Sequence, residues 1–232
     1  MKIPEGLFLT LLTCLVLQVC GCVTVKERST SASTLCRAGN TRVRRSILSW
    51  KTLRQRNVVM QSLDYSCGSA ALATLMRFYF DDDVSETDIL KNIMEALDED
   101  QITLRQADGL SMLDLKHCAE RMGYQSVGVR LKPELLPELR GPVLVHLKRY
   151  DYEHFAVLRG VRNGRVYLAD PSWGNVRMTL PQFLDRWTDV ALVLGKEGFG
   201  LPDTYPLAVV EGETVNDALL SPIRARYTLS SR

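Results

Sequence analysis

The stretch Gln61-Ser62-Leu63-Asp64-Tyr65-Ser66-Cys67-Gly68-Ser69-Ala70-Ala71-Leu72 carries a cysteine where a loop turns into a helix. Leu72, Leu75, Met76 and Tyr79 fall at i, i+3, i+4 and i+7, the apolar stripe of a helix that begins near Cys67. A thiol at a helix start feels the free N–H groups and the positive end of the helix dipole, which favour the thiolate, the form that attacks. Gly68 and the small residues after it keep bulk away from that sulfur. A lone cysteine on a helix is more often a small buried hydrophobe, so the reading depends on what else the chain supplies.

It supplies two further clusters, Tyr152-Glu153-His154-Phe155-Ala156-Val157-Leu158 and Leu168-Ala169-Asp170-Pro171-Ser172-Trp173-Gly174. A thiolate, an imidazole to hold the proton and a carboxylate to orient the imidazole make an activated-nucleophile site, here in the order Cys67, His154, Asp170.

Around these residues the pattern changes from helical to extended. Ser85-Glu86-Thr87-Asp88 is a capping signature, with Leu90, Ile93, Met94 and Leu97 continuing a second stripe. Ser111-Met112-Leu113-Asp114 opens a third helix, which Gly123 can close. Val127, Val129 and Leu131 then alternate with period 2, and Pro142 to Leu147 is a short apolar run. Phe155 to Val161 and Val166 to Ala169 flank the hairpin signal Asn163-Gly164. Pro181 to Trp187 reads as a short helix and Val190 to Leu194 as a last strand. Helices first and antiparallel strands after make the fold class α+β.

The hairpin register bears on the site. A strict two-residue loop sets Asp170 opposite Val157, on the face away from His154. A triad therefore predicts a three-residue loop, Arg162-Asn163-Gly164, with Gly164 in the left-handed region and Asp170 opposite Ala156, diagonal to His154.

The chain has 232 residues, 46% hydrophobic and 24% charged, the composition of a globular protein. Its net charge of +2 gives no whole-protein case for binding nucleic acid. The average hides a split: residues 1–22 are neutral, residues 23–56 carry nine basic groups against Glu27, and residues 57–232 carry 19 basic against 25 acidic. Residues 1–22 hold an apolar run from Leu7 to Cys20, shorter than the roughly 20 residues of a membrane-spanning helix and laid out like a secretory signal. Residues 23–56 read as a basic flexible linker, 57–198 as the body and 199–232 as a tail.

Gln61 six positions before Cys67, the Cys-Gly-Ser-Ala-Ala-Leu helix start, the His-Phe-Ala-Val-Leu strand and the Asp-Pro-Ser-Trp-Gly turn together resemble the C39 family of papain-like cysteine peptidases over residues 57–195. The resemblance implies a papain-like fold, with helices packed on an antiparallel sheet. It implies Cys67 as nucleophile, His154 as general base and then acid, Asp170 as orienter, and Gln61 as side-chain donor of the oxyanion hole. No cofactor or metal is called for, and the partner implied is a polypeptide. Many relatives are domains of ABC exporters; here the G-x-x-x-x-G-K-[ST] phosphate loop is absent, and the chain looks more like the exported peptidase component of Fap-type functional-amyloid systems. Val19-Cys20-Gly21-Cys22 also resembles a bacterial lipobox. Lipidated Cys22, followed by Thr24 rather than Asp at that position, implies a periplasmic protein on the outer membrane; plain signal cleavage and an uncleaved anchor are the alternatives.

Other sites fare worse. His117, His146 and His154 offer no H-E-x-x-H, His117-Cys118 has no partner pair at zinc spacing, and Asp81-Asp82-Asp83 lacks the turn glycine and bidentate Glu of a calcium loop. No G-x-S-x-G elbow is present. A Cys36–Cys118 disulfide is expected if both thiols meet an oxidising compartment. Two functions of different class stay open: an envelope cysteine peptidase, and a C39-like module that holds an exported substrate without cutting it. Acyl transfer to an acceptor other than water shares the first step with hydrolysis.

Overall fold

The computed structural model describes residues 31–38, 41–149 and 152–210. Strands β1 (Ser31–Ala38) and β2 (Thr41–Leu48) form an antiparallel hairpin of their own, in a stretch whose composition suggested an unstructured tether. Residues 1–22, which read as a secretory signal, lie with Cys22 outside the described residues. From Trp50 onward the chain forms a second compact unit.

That unit runs α1 (Trp50–Arg54), α2 (Cys67–Tyr79), α3 (Glu86–Met94), α4 (Glu99–Asp108), α5 (Met112–Arg121), β3 (Gln125–Arg130), a 3₁₀ turn (Pro133–Glu138), β4 (Val143–Arg149), β5 (Tyr152–Arg162), β6 (Arg165–Asp170), β7 (Gly174–Thr179), α6 (Leu180–Leu184) and β8 (Trp187–Gly195). The strands make one antiparallel sheet of order β3-β8-β4-β5-β6-β7. Capping boxes start four helices: Ser85/Asp88, Asp98/Gln101, Ser111/Asp114 and Thr179/Gln182.

The expected stripe of α2 is its buried face: Leu72, Leu75 and Met76 are fully buried and Tyr79 nearly so. Helix α2 packs on β4, β5 and β6, α5 packs on β3 and β8, and α3 packs on α2 and α5. Each fully buried Leu, Ile or Met in this layer contributes roughly 1.5–3 kcal/mol over leaving it exposed. Period 2 carries alternate strand residues to the other face, where Val145, Ala156, Leu158, Val166 and Leu168 meet Leu136, Phe183 and Trp187. Phe199 meets the Tyr79 ring at a tilt and Tyr205 meets it edge-on, and Leu207 is fully buried, so part of the stretch assigned to the tail completes the helical core.

The hairpin expectation needs correction. Arg162 pairs with Arg165, which leaves a two-residue loop of Asn163 (φ 51°) and Gly164 (φ 68°), the doubly left-handed turn that Asn-Gly favours. The extra residue sits inside β5 instead. Leu158 pairs with Leu168 and Gly160 with Tyr167, so Arg159 is bulged. Val157 then pairs with Ala169, and the next step sets Asp170 opposite Ala156, on the face of His154. The Arg159 side chain gives the bulge a reason. It is buried and reaches Leu207 O at 2.9 Å, Ala208 O at 3.0 Å and Asn175 Oδ1 at 2.8 Å, tying the C-terminal segment to the sheet.

Candidate active site

Cys67 is the first residue of α2 and is buried. Ser66 before it does not cap the helix. Its fully buried hydroxyl lies 2.5 Å from Glu86 Oε1 at the start of α3 and accepts from Leu63 N at 3.1 Å. Ser62 bonds the same carboxylate through its N–H at 2.9 Å and its hydroxyl at 2.8 Å. The loop in front of the thiol is thus fastened at two points to one buried acid. Gly68 has a different task from the one its sequence neighbourhood suggested: a Cβ there would lie 3.1 Å from Leu115 and 3.2 Å from Phe155, so it lets α2 approach α5 and the sheet.

His154, buried on β5, donates Nε2–H to Asp170 Oδ1 at 3.0 Å. Nδ1 is the nitrogen left to exchange a proton with sulfur. Burial works to lower the pKa of this imidazole, yet hydrogen bonds to Asp170 and to Cys67, reinforced by their negative charges, outweigh it and raise the value to about 9. Asp170 Oδ1 also accepts from the N–H groups of Ser172 at 2.8 Å and Trp173 at 3.1 Å, so the carboxylate is held by its own turn as it holds the ring. Gly174 ends that turn at φ 77°, and a Cβ on it would come within 2.4 Å of Arg54 O, where the C-terminal end of α1 presses on β7.

Gln61 stands across from the turn. Its N–H donates to Pro171 O at 3.0 Å, its Oε1 accepts from Ser172 Oγ at 2.6 Å, and its Nε2 donates to Leu63 O at 3.0 Å. Gln61, Met60, Asp64, Pro171, Ser172 and Trp173 line an open cleft of about 470 Å³. Trp173 is 63% exposed, with the Arg54 guanidinium 5.6 Å from its ring centroid.

The structure therefore brings Cys67, His154 and Asp170 into one contact chain and ties Gln61 to the turn that carries Asp170. The pieces can deliver a thiolate to a carbonyl, hold the proton on the imidazole and return it to a leaving amine. The remaining histidines have other surroundings: His117 is exposed, and His146 sits between Thr188 and Glu153 with its pKa lowered by burial. Asp82 is half-buried and paired, with Lys196 at 2.6 Å and Tyr124 donating to it. The Cys36–Cys118 disulfide is also corrected. Cys118 is a free thiol on the buried face of α5, its pKa pushed up to about 11 by burial. Sequence reading passed over Glu86, Ser66 and Ser172, taking Glu86 as part of a capping signature; polar residues flanking a nucleophile motif were the available signal.

Residues 55–198 match the profile of the peptidase C39 family. The chain is 34% identical over 152 residues to the "Probable functional amyloid protease FapD" of Pseudomonas fluorescens, covering 64% of this chain and 66% of that protein. It is 29% identical over 176 residues to the protein of the same name from Pseudomonas aeruginosa, covering 75% and 76%. The peptidase domain of Streptococcus ComA, a bifunctional ABC transporter involved in quorum sensing, superposes with a TM-score of 0.53 at 21% identity, over 62% of this chain and 99% of that domain. That likeness gives the papain-like fold. With the matched profile spanning more than half its length, the chain belongs to the peptidase C39 family of cysteine peptidases.

Proposed function

We propose that the chain is an exported thiol endopeptidase of the bacterial cell envelope that processes a secreted polypeptide during functional-amyloid biogenesis. The observation that carries the reading is His154, held between Cys67 and Asp170. The relatives named as functional amyloid proteases support the substrate class. In the proposed cycle the Cys67 sulfur attacks the scissile carbonyl, and Gln61 Nε2 donates to the oxyanion that forms. The protonated His154 then gives its proton to the departing amine, which leaves an acyl-enzyme. A water that has lost its proton to the same imidazole releases the acid product.

The deciding experiment expresses full-length wild type and Cys67→Ala in a host carrying the amyloid subunit and its export components. Under the peptidase reading, an intact polypeptide accumulates on the Cys67→Ala protein and is cut at one bond by wild type. A Cys67→Ala protein that supports fibre assembly in full would mean that the groove binds without cutting. Residues 1–22 provide the export route in this proposal, with Cys22 lipidated and the body facing the periplasm from the outer membrane. Cys22→Ser is then expected to move the protein from the membrane fraction to the soluble periplasmic fraction. A wild type already soluble and unlipidated would overturn that part.

A further inference from the structure

We propose that Ser172 is a positioning residue for the reaction, its hydroxyl orienting the Gln61 carboxamide so that Nε2, and not Oε1, is presented toward the oxyanion. The inference rests on the peptidase reading of the same site. A carboxamide has one end that donates and one that only accepts, and the two are nearly the same size. Turned the wrong way, Gln61 would set oxygen against the developing negative charge and weaken the step it is meant to help.

Two contacts fix the choice. Leu63 O only accepts, so the end of Gln61 lying 3.0 Å from it must be Nε2. That leaves Oε1 facing Ser172 Oγ at 2.6 Å, where the hydroxyl donates. Nε2 carries two hydrogens: Leu63 O takes one at 3.0 Å, and the other, whose bond to Asp64 O is long at 3.5 Å, is the one the substrate oxyanion would take over. Ser172 is the one partner of the Oε1 end: without its hydroxyl only Nε2 is anchored, at Leu63 O and weakly at Asp64 O, and the amide swings more freely about its last torsion, which is soft.

Ser172 also couples the two halves of the site. Its backbone N–H donates to Asp170 Oδ1 at 2.8 Å while its side chain holds Gln61, and the neighbouring Pro171 O accepts from Gln61 N at 3.0 Å. Removing the hydroxyl leaves both backbone bonds in place. Ser172→Ala therefore separates the orientation of Gln61 from the orientation of His154, which makes a sharp test possible.

The test uses the full chain and a peptide spanning a bond that wild type cleaves, with Ser172→Ala, Gln61→Ala and the double variant. Ser172→Ala is expected to lower kcat roughly five- to tenfold, the scale of one net hydrogen bond, with KM and the pH profile of kcat unchanged. The double variant is expected to be no slower than Gln61→Ala alone, because the hydroxyl acts only through that amide. Full additivity, a shifted pH profile or an unchanged kcat would each overturn the proposal. A readout that needs no turnover accompanies it: the two Gln61 side-chain amide protons, assigned by their loss in Gln61→Ala, should be well separated by NMR in wild type and draw together in Ser172→Ala. Should wild type cut nothing, the peptidase reading fails and this spectrum decides the orienting role, unchanged resonances in Ser172→Ala overturning it.

Discussion

At the scale of single residues, the site divides its labour unequally, and so should its losses. In the proposed cycle Cys67 makes the covalent bond and His154 moves the proton, so Cys67→Ala is expected to abolish turnover while leaving the fold intact, an alanine at a helix start costing little packing. His154→Ala should be nearly as severe, since it removes both the counter-cation of the thiolate and the proton donor to the amine. Gln61→Ala should cost about 10²–10³ in kcat, as loss of one oxyanion donor does elsewhere. Asp170→Asn should cost less, because the amide oxygen can still accept from the ring and from the two turn N–H groups that Asp170 Oδ1 now takes. The pH dependence follows from the raised pKa of His154, about 9. The folded state binds the imidazole proton more tightly than the unfolded chain, whose value is about 6.5. Its stabilisation is therefore complete below about 6.5 and is lost as pH rises through about 9. Under the proposed cycle the imidazolium is the proton donor and is lost over the same upper range, so kcat/KM should fall with a limb near 9. Asp170→Asn removes a negative charge that raises this pKa and should move the limb to lower pH. A limb that stays in place would show that Asp170 does not set the charge of the ring.

At the scale of elements, the turn from Asp170 to Gly174 does the most with the fewest residues, and its last residue can be tested. Gly174 has φ 77° and no room for a Cβ, the nearest atom being the carbonyl oxygen of Arg54 at 2.4 Å. Gly174→Ala must open the contact of α1 with β7 or distort the turn, costing on the order of 1–3 kcal/mol from backbone strain. Because the distortion reaches the N–H groups that hold Asp170, activity should fall more than stability alone accounts for. A lowered urea midpoint with unchanged kcat would show that the turn tolerates the strain without moving Asp170. How far such elements could be read in advance depended on what their residues bury. Helix α2 was legible because its stripe Leu72, Leu75, Met76 and Tyr79 is its buried face. Helix α4 buries no residue and is pinned by Arg105 to Asp114 at 2.5 Å, so periodicity said nothing, although Asp98 and Gln101 form a capping box. Strand β7 lies at the sheet edge with little buried surface, and its alternation was correspondingly faint. The face of Asp170 was legible and its cause was not. The Asn-Gly loop obeys its own turn preference, and the compensating residue, Arg159, is bulged because of a contact with Leu207 and Ala208, 48 and 49 positions away.

At the scale of the whole molecule, that long-range contact carries the body past Gly198. The four candidate residues, Gln61, Cys67, His154 and Asp170, could be picked out because they sit in local motifs, whereas the packing of residues 199–210 joins distant segments that no local pattern encodes. Composition placed the boundary near Gly198, but Phe199 lies 4.8 Å from Phe80, Tyr205 lies 4.8 Å from Tyr79 and Leu207 is completely buried in the helical core. A chain stopped at Gly198 would lose a buried leucine, uncover the aromatic cluster and leave the buried Arg159 guanidinium without two of its carbonyl acceptors. Loss of a buried leucine alone costs about 2–5 kcal/mol, and an unsatisfied buried charged donor adds to it. Against a typical domain stability of about 5–15 kcal/mol, such a chain should be largely unfolded or strongly destabilised. A chain stopped at Val210 keeps all of these contacts and should be markedly more stable than the one stopped at Gly198. Urea denaturation followed by tryptophan fluorescence separates the two cases. Equal midpoints for the chains ending at Gly198 and Val210 would show that residues 199–210 lie on the body without supporting it, and that the Arg159 bulge has some other cause.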